Sequence, residues 1–111
     1  MTIEEKKFRS EREKMLAGEL YLASDPDLQA LHRQAQKLTR QFNLTTEDEE
    51  NERTRILREL LGSSGKSLRI MPPFYCDYGC HIHVGDEFYM NFNCVILDPA
   101  EVHIGSQVMC G

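Results

Sequence analysis

Between Tyr78 and Gly111 the chain repeats itself. Val84, Met90, Ile96, Val102 and Val108 stand six residues apart. Six is an even number, so an extended chain turns all five to one face. An aliphatic residue is followed by glycine at Val84-Gly85 and again at Ile104-Gly105, 20 residues apart. A six-residue period with an aliphatic–glycine step is the mark of hexapeptide repeats, in which three short strands make one triangular coil. The 20-residue step exceeds three hexapeptides by two residues. Asp98-Pro99-Ala100-Glu101 is the expected place for that insertion, because proline cannot donate to a strand ladder.

The first half of the chain has a helical period instead. From about Glu4 to Ala23, Phe8, Met15, Leu16, Leu20 and Tyr21 lie among charges in a loosely amphipathic pattern, with Gly18 as a possible break. Asp25-Pro26 reads as a helix start, with Asp25 as N-cap and Pro26 at the first helical position. Leu28, Leu31, Ala35, Leu38 and Phe42 then follow at spacings of three and four, one apolar stripe. After a break at Asn43-Leu44-Thr45, Thr46 and Glu49 spell a capping box, and the acidic run Glu47–Glu50 suits a helix N-terminus. Ile56, Leu57, Leu60 and Leu61 supply the buried stripe of this third helix, which Gly62-Ser63-Ser64-Gly65 ends. The organisation predicted is α+β, with a helical unit over residues 1–66 and repeats over 67–111. Ser67 to Phe74 serves as a lead-in around Pro72-Pro73.

Composition narrows the function. With 111 residues there is room for one domain, and 41% apolar residues suffice for a modest core. A net charge of −5, with basic residues mixed among acids, argues against a nucleic-acid surface. The charged opening MTIEEKKFRSEREK is no signal peptide, and no run approaches a membrane span of about 20 apolar residues. The expectation is a cytoplasmic protein with reduced cysteines.

Three short motifs have plain readings. Gly62 to Ser67 spells GSSGKS, but a phosphate loop needs a glycine where Leu60 stands and a strand where a helix precedes, so it reads as a helix stop and linker. Cys76, Cys80, His81 and His83 have the residue types of a zinc site. On an extended chain, however, His81 and His83 share one side and Cys80 the other. Turn and wall positions are expected, with no metal; a small Cys/His metal-binding module is the alternative. Cys94 and Cys110 read as buried free thiols that pack like small apolar groups. Asn43-Leu44-Thr45 is a glycosylation sequon in spelling only. Of the histidines, His32 falls between apolar helix positions, and neither His81, His83 nor His103 is marked by a partner as a base.

Longer stretches resemble one family. Pro72-Pro73-Phe74-Tyr75-Cys76-Asp77-Tyr78-Gly79, Ile82-His83-Val84-Gly85, Phe88-Tyr89-Met90-Asn91-Phe92-Asn93-Cys94-Val95-Ile96-Leu97-Asp98 and the earlier Glu13-Lys14-Met15-Leu16-Ala17-Gly18-Glu19-Leu20-Tyr21 resemble the maltose/galactoside O-acetyltransferases. The resemblance implies a helical N-terminal subdomain feeding a left-handed parallel β-helix, assembled as a homotrimer. It implies transfer of acetyl from acetyl-CoA to a sugar hydroxyl, with a histidine as general base and hydrogen-bond donors on the developing oxyanion.

Carried over by position, Asn91 matches the family's acceptor-site asparagine and Asp77 a polar acceptor-site residue. Asp98 falls in an acidic stretch, and Asp25 near an N-terminal acceptor-binding aspartate. These four are the expected substrate-binding residues. The family's general-base histidine and its coenzyme A coils match nothing up to Gly111, so no catalytic or cofactor-binding residue is assigned. The expectation is a chain truncated after about one and a half coils, inactive alone, prone to self-association through Val108 and Met109. A non-catalytic remnant that binds sugar or joins a full-length relative is the other alternative.

Overall fold

The computed structural model describes residues 9–111. Ser10 opens helix α1 (Glu11–Leu16), its hydroxyl accepting from the Glu13 N–H. The expected Glu4–Ala23 helix is thus shorter among the described residues, and Phe8 lies outside them. Gly18, at φ +76°, takes the left-handed turn that ends it. Met15 is buried, but Leu20 lies beyond the break and projects into solvent.

Helix α2 (Pro26–Asn43) starts as its sequence predicts, with the Asp25 carboxylate accepting from Asp27 and Leu28 N–H groups. It buries Leu28, Ala35, Leu38, Thr39 and Phe42. Helix α3 (Glu50–Leu60) begins later than the Thr46 signal indicates. Only half of the capping box forms: Glu49 accepts from the Thr46 N–H at 2.9 Å, and Glu49 itself is the N-cap. Ile56, Leu57 and Leu60 are buried against the repeats.

Seven short strands follow: β1 (Arg69–Ile70), β2 (Phe74–Cys76), β3 (Ile82–Val84), β4 (Tyr89–Met90), β5 (Cys94–Ile96), β6 (Val102–Ile104) and β7 (Met109–Cys110). They form three parallel ladders, β1-β4-β7, β2-β5 and β3-β6. Arg69 pairs with Tyr89, Phe74 with Cys94, Ile82 with Val102 and Tyr89 with Met109, a step of 20 residues on every ladder. The inserted pair sits where expected, in the long corner 97–101, and the same long corner occurs one coil earlier at 77–81. Ile104, not Val102, is therefore one coil beneath Val84. Both face inward because they are two residues apart.

The coil starts earlier than Tyr78. What reads as a lead-in contains β1 and the first residue of β2, and two full passes separate Arg69 from Met109 rather than one and a half. The Gly62–Ser67 stretch is no linker either. Ser63 bridges in parallel to His83, and the Lys66 N–H donates to Asp86 Oδ1 at 2.8 Å. One coil on, the Asp86 N–H donates to Ser106 Oγ at 3.0 Å. Ser67, Glu87 and Gln107, 20 residues apart, all hold left-handed backbone at this corner, with φ of 59°, 53° and 59°. The core joins Phe42, Ile56 and Leu57 of the helices to Phe74, Ile82, Phe88 and Met90 of the first passes. Val108 packs partly against it, whereas Met109 points outward and is 79% exposed.

Candidate functional site

The long corner 77–81 is held from below by Asp98. Its Oδ1 accepts from the Tyr78 N–H at 2.8 Å and its Oδ2 from the His81 N–H at 3.2 Å. Asp98 is 0% exposed. Burial pushes its carboxyl above the ordinary range, and the two N–H donors oppose that shift. Asp98 touches solvent nowhere in this chain; it acts on the corner that carries Asp77.

His81 completes the brace. The Arg12 guanidinium donates through Nε to His81 Nε2 at 3.1 Å. Arginine has no acceptor to offer, so Nε2 must be unprotonated and Nδ1 carries the hydrogen. Nδ1 then donates to the Asp98 carbonyl at 2.8 Å. From the other side, His32 of α2 places Nδ1 2.9 Å from the Asp77 carbonyl, and its ring meets Tyr78 edge-on at 6.1 Å. His32, half-buried between apolar helix positions, thus joins α2 to this corner.

Of the four predicted acceptor residues, Asp77 and Asp98 come together at this corner. Asp25 stands apart from them and caps α2 through Oδ2. Asn91 lies at the other end of β5, in the corner 91–93, where its Oδ1 accepts from the Phe92 N–H at 2.9 Å. Between the Asn91 and Asp77 corners runs the outer face of β2-β5. Tyr75 and Val95 are register partners on it and are 53% and 58% exposed. Phe92 and Leu97 flank the strand, both exposed. The result is an apolar strip with a polar residue beyond each end. Sequence reasoning missed Tyr75 and Val95, although alternation places both opposite the inward Phe74 and Cys76.

The Cys76–Cys80–His81–His83 grouping does not assemble as a metal site. His81 is buried with both ring nitrogens engaged, while His83 faces outward, so the two do not share a side. The four cysteines are free thiols, and Cys94 and Cys110 are half-buried rather than fully buried. Burial, with Asp98 and Asp77 nearby, pushes Cys76 up to about 12. Among the described residues no helix is long and apolar enough to cross a membrane.

Comparison with known proteins gives one consistent picture. The family described as the maltose acetyltransferase hexapeptide capping motif matches residues 14–65. Nodulation protein L of Rhizobium meliloti (strain 1021) is 48% identical over 103 residues, 93% of this chain and 56% of that protein. The crystal structure of a maltose O-acetyltransferase from Clostridium difficile 630 superposes with a TM-score of 0.89 at 46% identity, covering 91% of this chain and 54% of that one. A galactoside acetyltransferase in complex with coenzyme A superposes with a TM-score of 0.82 at 29% identity, covering 91% and 54%. The chain spans about half the length of the curated relatives it matches. Over the residues it contains, the chain belongs to the maltose/galactoside O-acetyltransferase family of hexapeptide-repeat proteins.

Proposed function

We propose that this chain supplies the acceptor side of an acetyl-CoA-dependent O-acetyltransferase that acetylates a sugar hydroxyl. The observation that carries this reading is the braced corner. Asp98, His81 and Arg12 fix the loop that presents Asp77 beside the exposed Tyr75–Val95 strip, with Asn91 beyond its far end. A sugar ring has apolar C–H faces and a rim of hydroxyls, so an apolar floor with polar residues at its ends matches it. Asp77 and Asn91 are the proposed hydroxyl contacts. Asp98 is assigned to positioning, and Asp25 contributes through the start of α2. The coil is taken as a left-handed β-helix, the assembly as a homotrimer, and the setting as cytoplasmic.

None of the residues described here is assigned to the general base or to coenzyme A. Neutral His81 already has both ring nitrogens engaged, which supports leaving it out of proton transfer to an acceptor. The 111-residue chain alone is accordingly expected to release no coenzyme A from acetyl-CoA, with or without sugar.

The test uses a full-length protein carrying this segment, assayed for coenzyme A release with maltose, a galactoside and other glycosides. Asp77→Ala and Asn91→Ala should each lower kcat/KM for the acceptor by roughly 10- to 100-fold, the loss of one or two hydrogen bonds to a bound group. KM for acetyl-CoA should stay within about twofold. Acceptor kinetics unchanged in both variants would overturn the site, and transfer to none of the glycosides would overturn the function. Coenzyme A release by the 111-residue chain would overturn its assignment as inactive alone.

A further inference from the structure

One cluster lies outside the proposed acceptor strip and is used by nothing above. His83 and His103 are register partners on β3 and β6, and their outward rings stack with centroids 4.8 Å apart at 15°. Glu101, from the long corner just before β6, places Oε2 2.7 Å from His83 Nε2. One donor atom from each of the three residues lies within 4.8 Å of the other two. The remote nitrogen of His83 is also engaged: Nδ1 is 2.8 Å from Ser63 Oγ. Gly62 leaves the room for this, since a Cβ there would stand 2.6 Å from His83 Cε1.

We propose that His83, Glu101 and His103 form a binding site for a divalent transition-metal ion of the zinc, cobalt or nickel type, with Ser63 orienting His83. Two imidazoles and one carboxylate are the donor set these borderline ions favour, whereas magnesium and calcium take all-oxygen sets. Tetrahedral bonds of about 2.0–2.1 Å put donors roughly 3.3 Å apart. The His83–Glu101 pair must open slightly and the imidazoles tilt together; Glu101 and His103 are exposed and can make most of that movement around the half-buried His83. In the metal-free form His83 sets Nε2 against Glu101 Oε2 and Nδ1 against Ser63 Oγ. With the ion on Nε2 the ring keeps its hydrogen on Nδ1 and donates it to Ser63 Oγ. This is the outer-shell hydrogen bond that metal-bound histidines commonly make. Three protein donors leave the fourth position to water, and the ion ties two successive coils together across the β3-β6 ladder.

This inference does not rest on the acetyltransferase reading, and its test involves no sugar and no coenzyme A. The 111-residue chain, freed of metal with a chelator, is titrated with Co2+ followed by visible absorbance and with Zn2+ followed by calorimetry. The expected result is one saturable site per chain and a raised thermal midpoint with Zn2+, because an ion that binds only the folded state stabilises it. His103→Ala and Glu101→Gln, both at exposed positions, should each weaken binding at least tenfold, and Ser63→Ala by roughly tenfold. Cys76→Ser with Cys80→Ser should leave it unchanged. Absence of saturable binding would overturn the proposal. So would binding that survives His103→Ala and Glu101→Gln, or binding abolished by the cysteine substitutions. Far-UV circular dichroism of each variant, matched to the parent, separates loss of ligands from loss of fold.

Discussion

Replacing Asp98 with asparagine tests the brace directly. The asparagine side chain keeps one carbonyl oxygen, so one of the two N–H groups, of Tyr78 or His81, retains its acceptor. The other faces an amide NH2 and loses its partner. A buried donor without an acceptor costs about 1–3 kcal/mol. For a chain of this length that lowers the thermal midpoint by roughly 5–15 °C. Asp98→Ala removes both acceptors and should cost more, about 2–5 kcal/mol, reduced by relief of the carboxylate's own desolvation. Urea unfolding followed by circular dichroism gives both values.

The dependence on pH carries the sharper test. Burial raises the folded carboxyl above its ordinary value of 3.8. Between that value and the raised one, the folded chain holds a proton that the unfolded chain has released. The stability contributed by this group is therefore complete below pH 3.8 and is lost as pH rises through the folded value. Asparagine does not titrate, and the other carboxylates are common to both chains and cancel in the difference. The parent's lead over Asp98→Asn should be greatest at the acid end and shrink to a plateau toward neutral pH. A lead that widens with pH would refute the argument, because the two backbone donors would then outweigh burial. A variant within about 0.5 kcal/mol of the parent throughout would refute the N–H accounting itself.

Four further outcomes follow from the local surroundings of single residues. Gly85→Ala sets a Cβ 2.6 Å from Ser106 Oγ and 2.8 Å from Ser106 N, so it should destabilise by about 1–3 kcal/mol in urea unfolding. Gly105→Ala meets nothing within 4 Å and should be neutral or slightly stabilising. Asn43→Ala removes a double hydrogen bond to Phe74, Nδ2 to its carbonyl at 3.0 Å and Oδ1 from its N–H at 2.8 Å, and should cost about 1–3 kcal/mol by the same measurement. Cys76, raised to about 12, should resist iodoacetamide at pH 8 in the folded chain and react once the chain is unfolded, as read by mass spectrometry of its peptide.

Much of the backbone was legible because parity and period are local properties. The inward face, the 20-residue step and the long corner at 97–101 all follow from spacings within 30 residues. The Asp25 cap was equally legible, since its partners are two and three residues away. The first pass of the coil was not. Ser64 stands where later passes have an aliphatic residue before glycine, and two prolines interrupt it. The α1 boundary failed for another reason. An amphipathic pattern runs past Gly18, but the left-handed turn there overrides it.

The side chains show where legibility ends. Ser63 meets His83, Lys66 meets Asp86, Tyr78 meets Asp98 and Asp86 meets Ser106, each pair 20 residues apart. A stacked coil turns distant contacts into contacts at one fixed offset, so these pairs follow once the step found in the backbone is applied to polar residues too. By that offset Asp98 falls beneath Tyr78 as a corner brace, and His83 acquires partners above and below. Contacts between helix and coil obey no such offset. Arg12 reaches His81 across 69 residues, His32 reaches Asp77 across 45 and Asn43 reaches Phe74 across 31. Each depends on how α1 and α2 dock, which the repeat does not encode. Two of these contacts set the environment of the Asp77 corner. The period places the proposed acceptor residues, and the unrepeated helices hold that corner in position.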